Sequence, residues 1–337
     1  MVSAQRFVLA TRPEGEPTRG NFQLERIEMP DPRPGELLLR TQYLSVDPYV
    51  RGRISGIRSY AEPTAIGSPP PGHAVGVVER SEDSQWSVGD IVVADTGWQT
   101  HALVCASDVR KLDPGLASVT TSLGVLGMPG FTAYAGLLKL GKPKPGDTVV
   151  VGAATGPVGS LVGQIAKIRG ARAVGIAGGP QKTSFLLSDL GFDASADHRS
   201  KDFGDQLRAA ASDGIDVYFE NIGGEVFNAV FPLLNPFARI PVCGVMSEYN
   251  STSSRPGLPQ QLLRTVLNKS VTIRGFVFTE FWDQLFDRFL TDVSGWIREG
   301  KVRYREDIVE GFENTPDAFR GLLRGENFGK LIVRLSE

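Results

Sequence analysis

Twelve residues, Thr148-Val-Val-Val-Gly-Ala-Ala-Thr-Gly-Pro-Val-Gly159, restrict the fold of this chain more than any other stretch. A β-branched run gives way to small residues, and an amphipathic segment, 156–169, follows with Val158, Leu161, Val162, Ile165 and Ile168 every three or four positions. Such a helix must lay its apolar face on the sheet to which that strand belongs. Within the turn, Ala154-x-Gly156-x-x-Gly159 keeps the G-x-G-x-x-G spacing with alanine in the first place. The spacing supplies a small residue for the tight turn, a glycine where backbone nears a pyrophosphate, and a glycine where helix and strand press together. Free N–H groups at the helix start then face the phosphates. On this reading Ala154, Gly156, Val158 and Gly159 are candidate contacts to a dinucleotide; the plainer reading is a tight strand-to-helix turn.

The flanking sequence says what kind of sheet carries the turn. Between Glu36 and Ala106, short extended runs at Glu36–Thr41, Ala74–Glu79, Asp90–Ala94 and His101–Cys105 alternate with Gly and Pro breakers, which predicts a β-rich, partly open barrel. Beyond Leu123, strand-like runs alternate with longer amphipathic segments: Thr148–Gly152 then 156–169, Ala173–Ile176 then 181–190, Ile215–Phe219 then 225–234, Ile240–Gly244 then 259–268. That alternation predicts a doubly wound parallel sheet. A further amphipathic segment at 280–299 carries Phe281, Trp282, Leu285, Phe289, Val293 and Trp296, and the tail Gly329–Leu335 reverts to β-like sequence. The class is α/β, with two domains expected from 337 residues at roughly 150 per domain.

Charge and cysteine content narrow the function. The 36 basic and 38 acidic residues leave a net charge of −2 with no dense basic stripe, which argues against nucleic acid or an anionic membrane as partner. Two cysteines, Cys105 and Cys243, make neither a zinc ribbon nor a disulfide framework and fit a reducing compartment. Met1–Arg19 lacks a continuous apolar stretch, so neither signal peptide nor membrane anchor is expected, and the cytoplasm is the expected location. The 39 glycines and 22 prolines sit in knots between apolar runs, as in a backbone that turns tightly or approaches a ligand. The second strand indicates which cofactor. An NAD site wants an acidic residue about 20 positions beyond the glycines for the ribose diol. Here the sequence is Gly175-Ile-Ala-Gly-Gly-Pro-Gln-Lys182, with no carboxylate and a lysine suited to a 2′-phosphate. NADPH is therefore the expected cofactor; the alternative for Lys182 is a solvated helix residue.

Several further segments together carry a family resemblance: Ser45-Val-Asp-Pro-Tyr-Val-Arg-Gly-Arg53, Leu126-Gly-Met-Pro-Gly-Phe-Thr-Ala-Tyr134, Ala153–Ser160, Phe219-Glu-Asn-Ile-Gly-Gly224, Asn235–Gly244, Tyr304-Arg-Glu-Asp-Ile308 and Asn327-Phe-Gly-Lys330. Nearly end to end, the chain resembles the zinc-independent medium-chain dehydrogenase/reductases, in the group of leukotriene B4 12-hydroxydehydrogenase, prostaglandin reductase, alkenal double-bond reductases and curcumin reductase. The resemblance implies a GroES-like catalytic domain formed by 1–125 and 302–337, an NADP-binding Rossmann domain over 126–301, substrate in the cleft between them, and a homodimer. It places Gly156 and Lys182 at the adenosine phosphates, Asn221 at the nicotinamide-side ribose, Cys243 and Gly244 at the strand end beside the cofactor, and Asn327 near the pyrophosphate. It also implies that the backbone of Phe276 and Val277 holds the carboxamide, that Tyr249 lies beside the nicotinamide ribose and the reacting carbonyl, and that Tyr49 belongs to the substrate pocket. The family's usual Asp-Tyr-Arg after the third strand is Asp197-His-Arg199 here, a departure that puts His198 at the position of the tyrosine near the 2′-phosphate and leaves open whether it makes that contact.

The chemistry follows from what is missing as much as from what is present. Neither cysteine stands in a zinc-ligand context, and Gly72-His73-Ala74 lacks an acidic neighbour, so no metal is expected and His73 reads as structural. Hydride transfer without a Lewis acid suits an acceptor that is already electrophilic, namely a small apolar enal or enone attacked at its β-carbon. The protein must then hold geometry and stabilise charge on the carbonyl oxygen. Tyr249 is the candidate catalytic donor. The Ser- and Gly-rich loop Met246–Pro259 is a possible lid, and Phe276–Phe281 is either core or a pocket wall. Quinone reduction, allylic alcohol oxidation, and NADPH binding with little catalysis are the alternative functions.

Overall fold

The computed structural model describes residues 1–115, 117–251 and 260–335, the side chains of 260 and 261 excepted. The chain divides into two compact units, Met1–Gly124 with Glu306–Glu337, and Val125–Arg305. In chain order the first unit contributes β1 (Val2–Leu9), β2 (Phe22–Met29), β3 (Glu36–Ser45), the one-turn α1 (Val50–Arg53), β4 (His73–Ser81), β5 (Ile91–Asp95), β6 (His101–Cys105) and β7 (Arg110–Lys111). The second contributes α2 (Met128–Ala135), β8 (Thr148–Val151), α3 (Pro157–Ile168), β9 (Arg172–Ala177), α4 (Pro180–Ser188), β10 (Ala194–Asp197) and α5 (Phe203–Ala210). It continues through β11 (Ile215–Phe219), α6 (Gly224–Val230), β12 (Leu234–Val242), α7 (Gln260–Lys269), β13 (Thr272–Gly275) and α8 (Trp282–Arg298). The chain then returns to the first unit as β14 (Glu306–Glu310), α9 (Thr315–Leu323) and β15 (Lys330–Arg334).

In the second unit six parallel strands lie in the order β10-β9-β8-β11-β12-β13. This is the doubly wound dinucleotide-binding order, with the reversal between β8 and β11. Helix α3 packs as its period requires: Leu161, Val162 and Ile165 are buried, while Val158 and Ile168 at the helix ends are half-buried. A methyl group on Gly163 would lie 1.9 Å from the Phe192 ring, so the helix lies flush against its neighbour there. Four elements escape the hydrophobic pattern. Helix α2 is buried from Pro129 to Ala135, so it shows no polar face. Strand β10 is built of small residues, and all four residues of β13 are exposed. Helix α5, with eight residues, makes little more than two turns and buries only Leu207 and Ala210. Strand β12 begins at Leu234 rather than Ile240, and its register with β11 shifts between Leu234 and Arg239, the stretch that holds Pro236.

In the first unit a seven-stranded sheet runs β14-β15-β3-β4-β5-β7, with β6 also on β3. The returning strand β15 pairs antiparallel to β3, with Ile332 opposite Ser45. Trp98, fully buried, sits among aromatic rings from both chain ends, 5.1 Å from Phe22 and 5.4 Å from Phe319. A buried ion pair joins the same ends: Lys330 Nζ donates to Asp47 Oδ1 at 2.9 Å and to the Val46 carbonyl at 3.0 Å, and Ser45 Oγ donates to Asp47 Oδ2. Lys330 and Asp47 are 2% and 5% exposed. Lys330→Met leaves the Asp47 charge buried without its partner, and the expected loss of stability is about 3–5 kcal/mol. Thermal and denaturant melts check this; the double variant Lys330→Met/Asp47→Leu, which buries no charge, should recover much of the loss.

Candidate functional site

Residues 152–159 close the turn between β8 and α3 under tight steric control. The Ala154 N–H donates to the Ile176 carbonyl at 3.0 Å and its side chain is fully buried, so this small residue ties the turn to β9. Gly156 caps α3 with extended backbone, and Pro157 opens the helix. A methyl group on Gly159 would lie 2.5 Å from the Ala153 carbonyl oxygen and 2.8 Å from the Ala154 Cα, so only glycine fits. At Gly156 the same methyl meets only the Ala153 carbonyl oxygen, at 3.3 Å. The N–H groups of Val158 and Gly159, in the first turn of α3, have no intrahelical acceptor. A turn of mostly small residues that leads into free helix N–H groups at the reversal between β8 and β11 fits a pyrophosphate.

At the end of β9 two cationic side chains and a histidine gather. A methyl group on Gly178 would meet the Arg199 side chain at 2.7 Å and His198 Nε2 at 2.9 Å, so both lie over this glycine. The Asp197 carboxylate accepts from the N–H groups of Gly179, at 2.8 Å, and Arg199, at 2.9 Å, so this acidic residue serves the backbone of the strand ends. Partial desolvation, then the Arg199 guanidinium and more weakly Lys182, push the His198 pKa down against the pull of Asp197. The structure thus brings Lys182 and His198 to one place and adds Arg199, which sequence reasoning passed over although it stands beside His198 in the same motif. The group suits a doubly charged phosphate monoester.

The ends of β11 and β12 carry the remaining candidates of this unit. Asn221 Nδ2 donates to the Gly152 carbonyl at 2.9 Å, joining β11 to the glycine turn. The N–H groups of Cys243, at 2.9 Å, and Gly244, at 3.2 Å, donate to the Glu220 carbonyl. The Tyr249 hydroxyl lies over Gly244, 3.2 Å from where a methyl group would stand, and the Asn221 carbonyl is 3.7 Å from that point. Tyr249, Gly244 and Asn221 therefore converge. The Phe276 ring fills the space beside Gly136, edge-on to Phe219 with centroids 6.1 Å apart, while Phe276, Phe278 and Phe281 are each only half-buried. The backbone donors expected at the carboxamide are engaged: Phe276 N–H donates to the Val242 carbonyl at 3.3 Å, and Val277 N–H to Glu280 Oε1 at 3.0 Å. Of the expected lid, Met246–Glu248 forms one 3-10 turn, and 252–259 lie outside the described residues.

Tyr49 and Asn327 belong to the first unit. Tyr49 precedes α1, and burial, then Asp47 and Asp95, raise its phenol pKa well above the usual value. Arg53 and Asp95, two of the groups acting on that phenol, line an open cleft of about 360 Å³ with Thr64, Thr96 and Gln99. Asn327 Nδ2 donates to the Gly329 carbonyl at 2.8 Å, shaping the turn into β15. Among the described residues, no three His, Cys, Asp or Glu side chains are grouped to hold a metal ion. Cys105 is exposed, whereas burial and then the Glu220 carboxyl push the Cys243 thiol up to about 12. Because thiolate is the reactive species, iodoacetamide at about pH 8 should label Cys105 and spare Cys243. Mass spectrometry of the two peptides checks the difference.

Comparison with known proteins places this geometry in a family. Residues 5–112 match a family model described as the N-terminal domain of oxidoreductase, and 157–293 one described as zinc-binding dehydrogenase. NADPH-dependent curcumin reductase of Escherichia coli (strain K12) is 48% identical over 335 residues, covering 98% of this chain and 97% of that one. Prostaglandin reductase 1 of Rattus norvegicus is 40% identical over 338 residues, covering 99% and 100%. The crystal structure of CurA from Vibrio vulnificus in complex with NADPH superposes with a TM-score of 0.95 at 48% identity, covering 99% of each chain. The chain belongs to the medium-chain dehydrogenase/reductase family, in the group that holds the curcumin and prostaglandin reductases.

Proposed function

We infer that the protein reduces the C=C bond of α,β-unsaturated aldehydes and ketones with NADPH. The observation that carries the choice of cofactor is the small-residue turn at 152–159 in the same unit as the group of Lys182, Arg199 and His198. Relatives at 40–48% identity are named as NADPH-dependent curcumin reductase and prostaglandin reductase, which supports it. Gly156, Val158 and Gly159 would hold the pyrophosphate with backbone N–H groups, Lys182 and Arg199 with His198 beside them the 2′-phosphate, and Asn221, Cys243, Gly244, Phe276 and Val277 the nicotinamide end. Asn327 is assigned to the pyrophosphate and Tyr49 to the substrate. When bound, NADPH supplies a hydride for the β-carbon.

Tyr249 then donates a hydrogen bond to the carbonyl oxygen as negative charge builds there, the resulting enolate takes a proton from solvent at its α-carbon, and no metal is required because the conjugated alkene is already electrophilic. Residues Met1–Gly124 with Glu306–Glu337 serve as the GroES-like catalytic domain and Val125–Arg305 as the nucleotide domain. No described helix is long and apolar enough to cross a membrane, and the chain's few cysteines favour the cytoplasm as its working compartment. A homodimer is supported by an apolar face at the sheet edge. Leu263 and Leu267 on α7 are 73% and 78% exposed, and Ile273 on the edge strand β13 is 40% exposed.

Four measurements test these statements. NADPH consumption with a short enal, a bulky enone, a quinone and a saturated aldehyde, with products identified by mass, should give saturated carbonyl compounds; turnover of the quinone alone would overturn the reading. Tyr249→Phe should lower kcat about a hundredfold with NADPH affinity kept. Lys182→Ala should raise the KM for NADPH about tenfold and leave that for NADH unchanged; equal effects on both would remove the 2′-phosphate assignment. By light scattering, Leu267→Glu/Ile273→Glu should shift a dimer toward monomer.

A further inference from the structure

Glu220 stands one residue beyond β11, at the reversal of strand order, and is 2% exposed. Its Oε1 accepts three hydrogen bonds: from the Tyr218 hydroxyl at 3.1 Å, from Ile222 N–H at 2.5 Å and from Gly223 N–H at 2.9 Å. Its Oε2 is buried and makes no hydrogen bond within the protein. A buried carboxyl is costly to keep, and its burial raises the pKa against the pull of those donors. Leucine or methionine would fill the volume without that cost. What the carboxyl supplies is an acceptor that folds residues 221–223 back over it.

Everything at this end of the sheet hangs on that turn. Asn221 Nδ2 reaches the Gly152 carbonyl from it. Ile222 lies directly on Gly152, where a methyl group would be 2.7 Å from its Cγ1. The segment bearing Tyr249 is tied on through Met246 N–H to the Asn221 carbonyl at 3.2 Å and Ser247 N–H to the Ile222 carbonyl at 2.9 Å. Gly223, at φ +76°, is covered by Val245, Ser247 and Glu248. The main chain of Glu220 meanwhile accepts from Cys243 and Gly244. One residue thus joins the glycine turn, the end of β12 and the approach to Tyr249.

We propose that Glu220 is a positioning residue for the nicotinamide end of the site: its carboxyl acceptor fixes the 221–223 turn and, through it, Asn221 and Tyr249. This rests on the assignment of NADPH to the β8 to β11 reversal. The adenosine end, held by the cations beside Gly178, makes none of these contacts. Loss of the acceptor should therefore weaken recognition of the whole dinucleotide while leaving recognition of its phosphoadenosine half intact.

The test compares Glu220→Leu, which removes the acceptor and fills the volume, with Glu220→Gln, which keeps an acceptor oxygen for the Ile222 and Gly223 N–H groups. Binding of NADPH and of adenosine 2′,5′-bisphosphate is titrated by fluorescence or calorimetry. Glu220→Leu should bind NADPH about tenfold more weakly while binding the bisphosphate as the wild type does, and Glu220→Gln should recover most of the difference. Unchanged NADPH affinity in Glu220→Leu, equal weakening of both ligands, or no recovery in Glu220→Gln overturns the proposal. A wild-type protein that binds neither ligand overturns the cofactor assignment itself, a result the variants cannot imitate.

Discussion

The second unit depends on a steric constraint: α3 lies so close to the turn that precedes it and to the Phe192 ring that two positions along it, Gly159 and Gly163, admit no side chain. At Gly159 the obstruction is backbone, 2.5 Å from the Ala153 carbonyl oxygen, and at Gly163 it is the Phe192 ring. Backbone cannot move aside as a flexible side chain can, so the turn before α3 has one conformation. That conformation leaves the first N–H groups of the helix without intrahelical partners. Close packing and an anion site are two results of the same contact, and neither could be kept if the helix stood farther off.

Polar groups at the strand ends extend this rigid frame. Asp197 and Glu220 occupy comparable places, just at or beyond the C-terminal ends of β10 and β11, and each spends its carboxylate on backbone N–H groups of neighbouring turns. Neither is a free charge waiting for a ligand. They shape the loops from which Lys182, His198, Arg199, Asn221 and Tyr249 project. In the first unit the Lys330 and Asp47 pair plays a related part by holding the segment that leads to Tyr49 against the returning C-terminal strand. An ion pair so deeply buried contributes little net stability, but removing one partner is costly, so the register of the two chain ends is strongly enforced.

The apolar period made α3 and the strand–helix alternation around it legible, because a helix packed on one side must repeat its buried residues every three or four positions. The same rule left α2 and β13 unread, for opposite reasons: α2 is buried almost all round, and every residue of β13 is exposed. The site was legible where glycine spacing or a motif marked it. Arg199 and Glu220 were not recognised, although each stood beside a recognised residue. A charged side chain announces its partner only when the chain has folded, and a carboxylate directly after Val217-Tyr-Phe219 at the end of a strand is the one signal that points to burial.

By itself, then, the sequence determined a doubly wound α/β unit with a phosphate-sized turn after β8, a β-rich companion, and the family to which both belong. Those features are local, since periodicity, glycine spacing and motif identity act over a few residues. Tertiary structure alone decided that Arg199 joins Lys182 and His198 over Gly178, that the Tyr249 hydroxyl lies over Gly244, that Val277 N–H is held by Glu280, and that the Glu220 carboxyl organises the turn at Asn221. Each depends on which strand lies beside which and on where a side chain ends in space, and neither is fixed until the sheet has assembled.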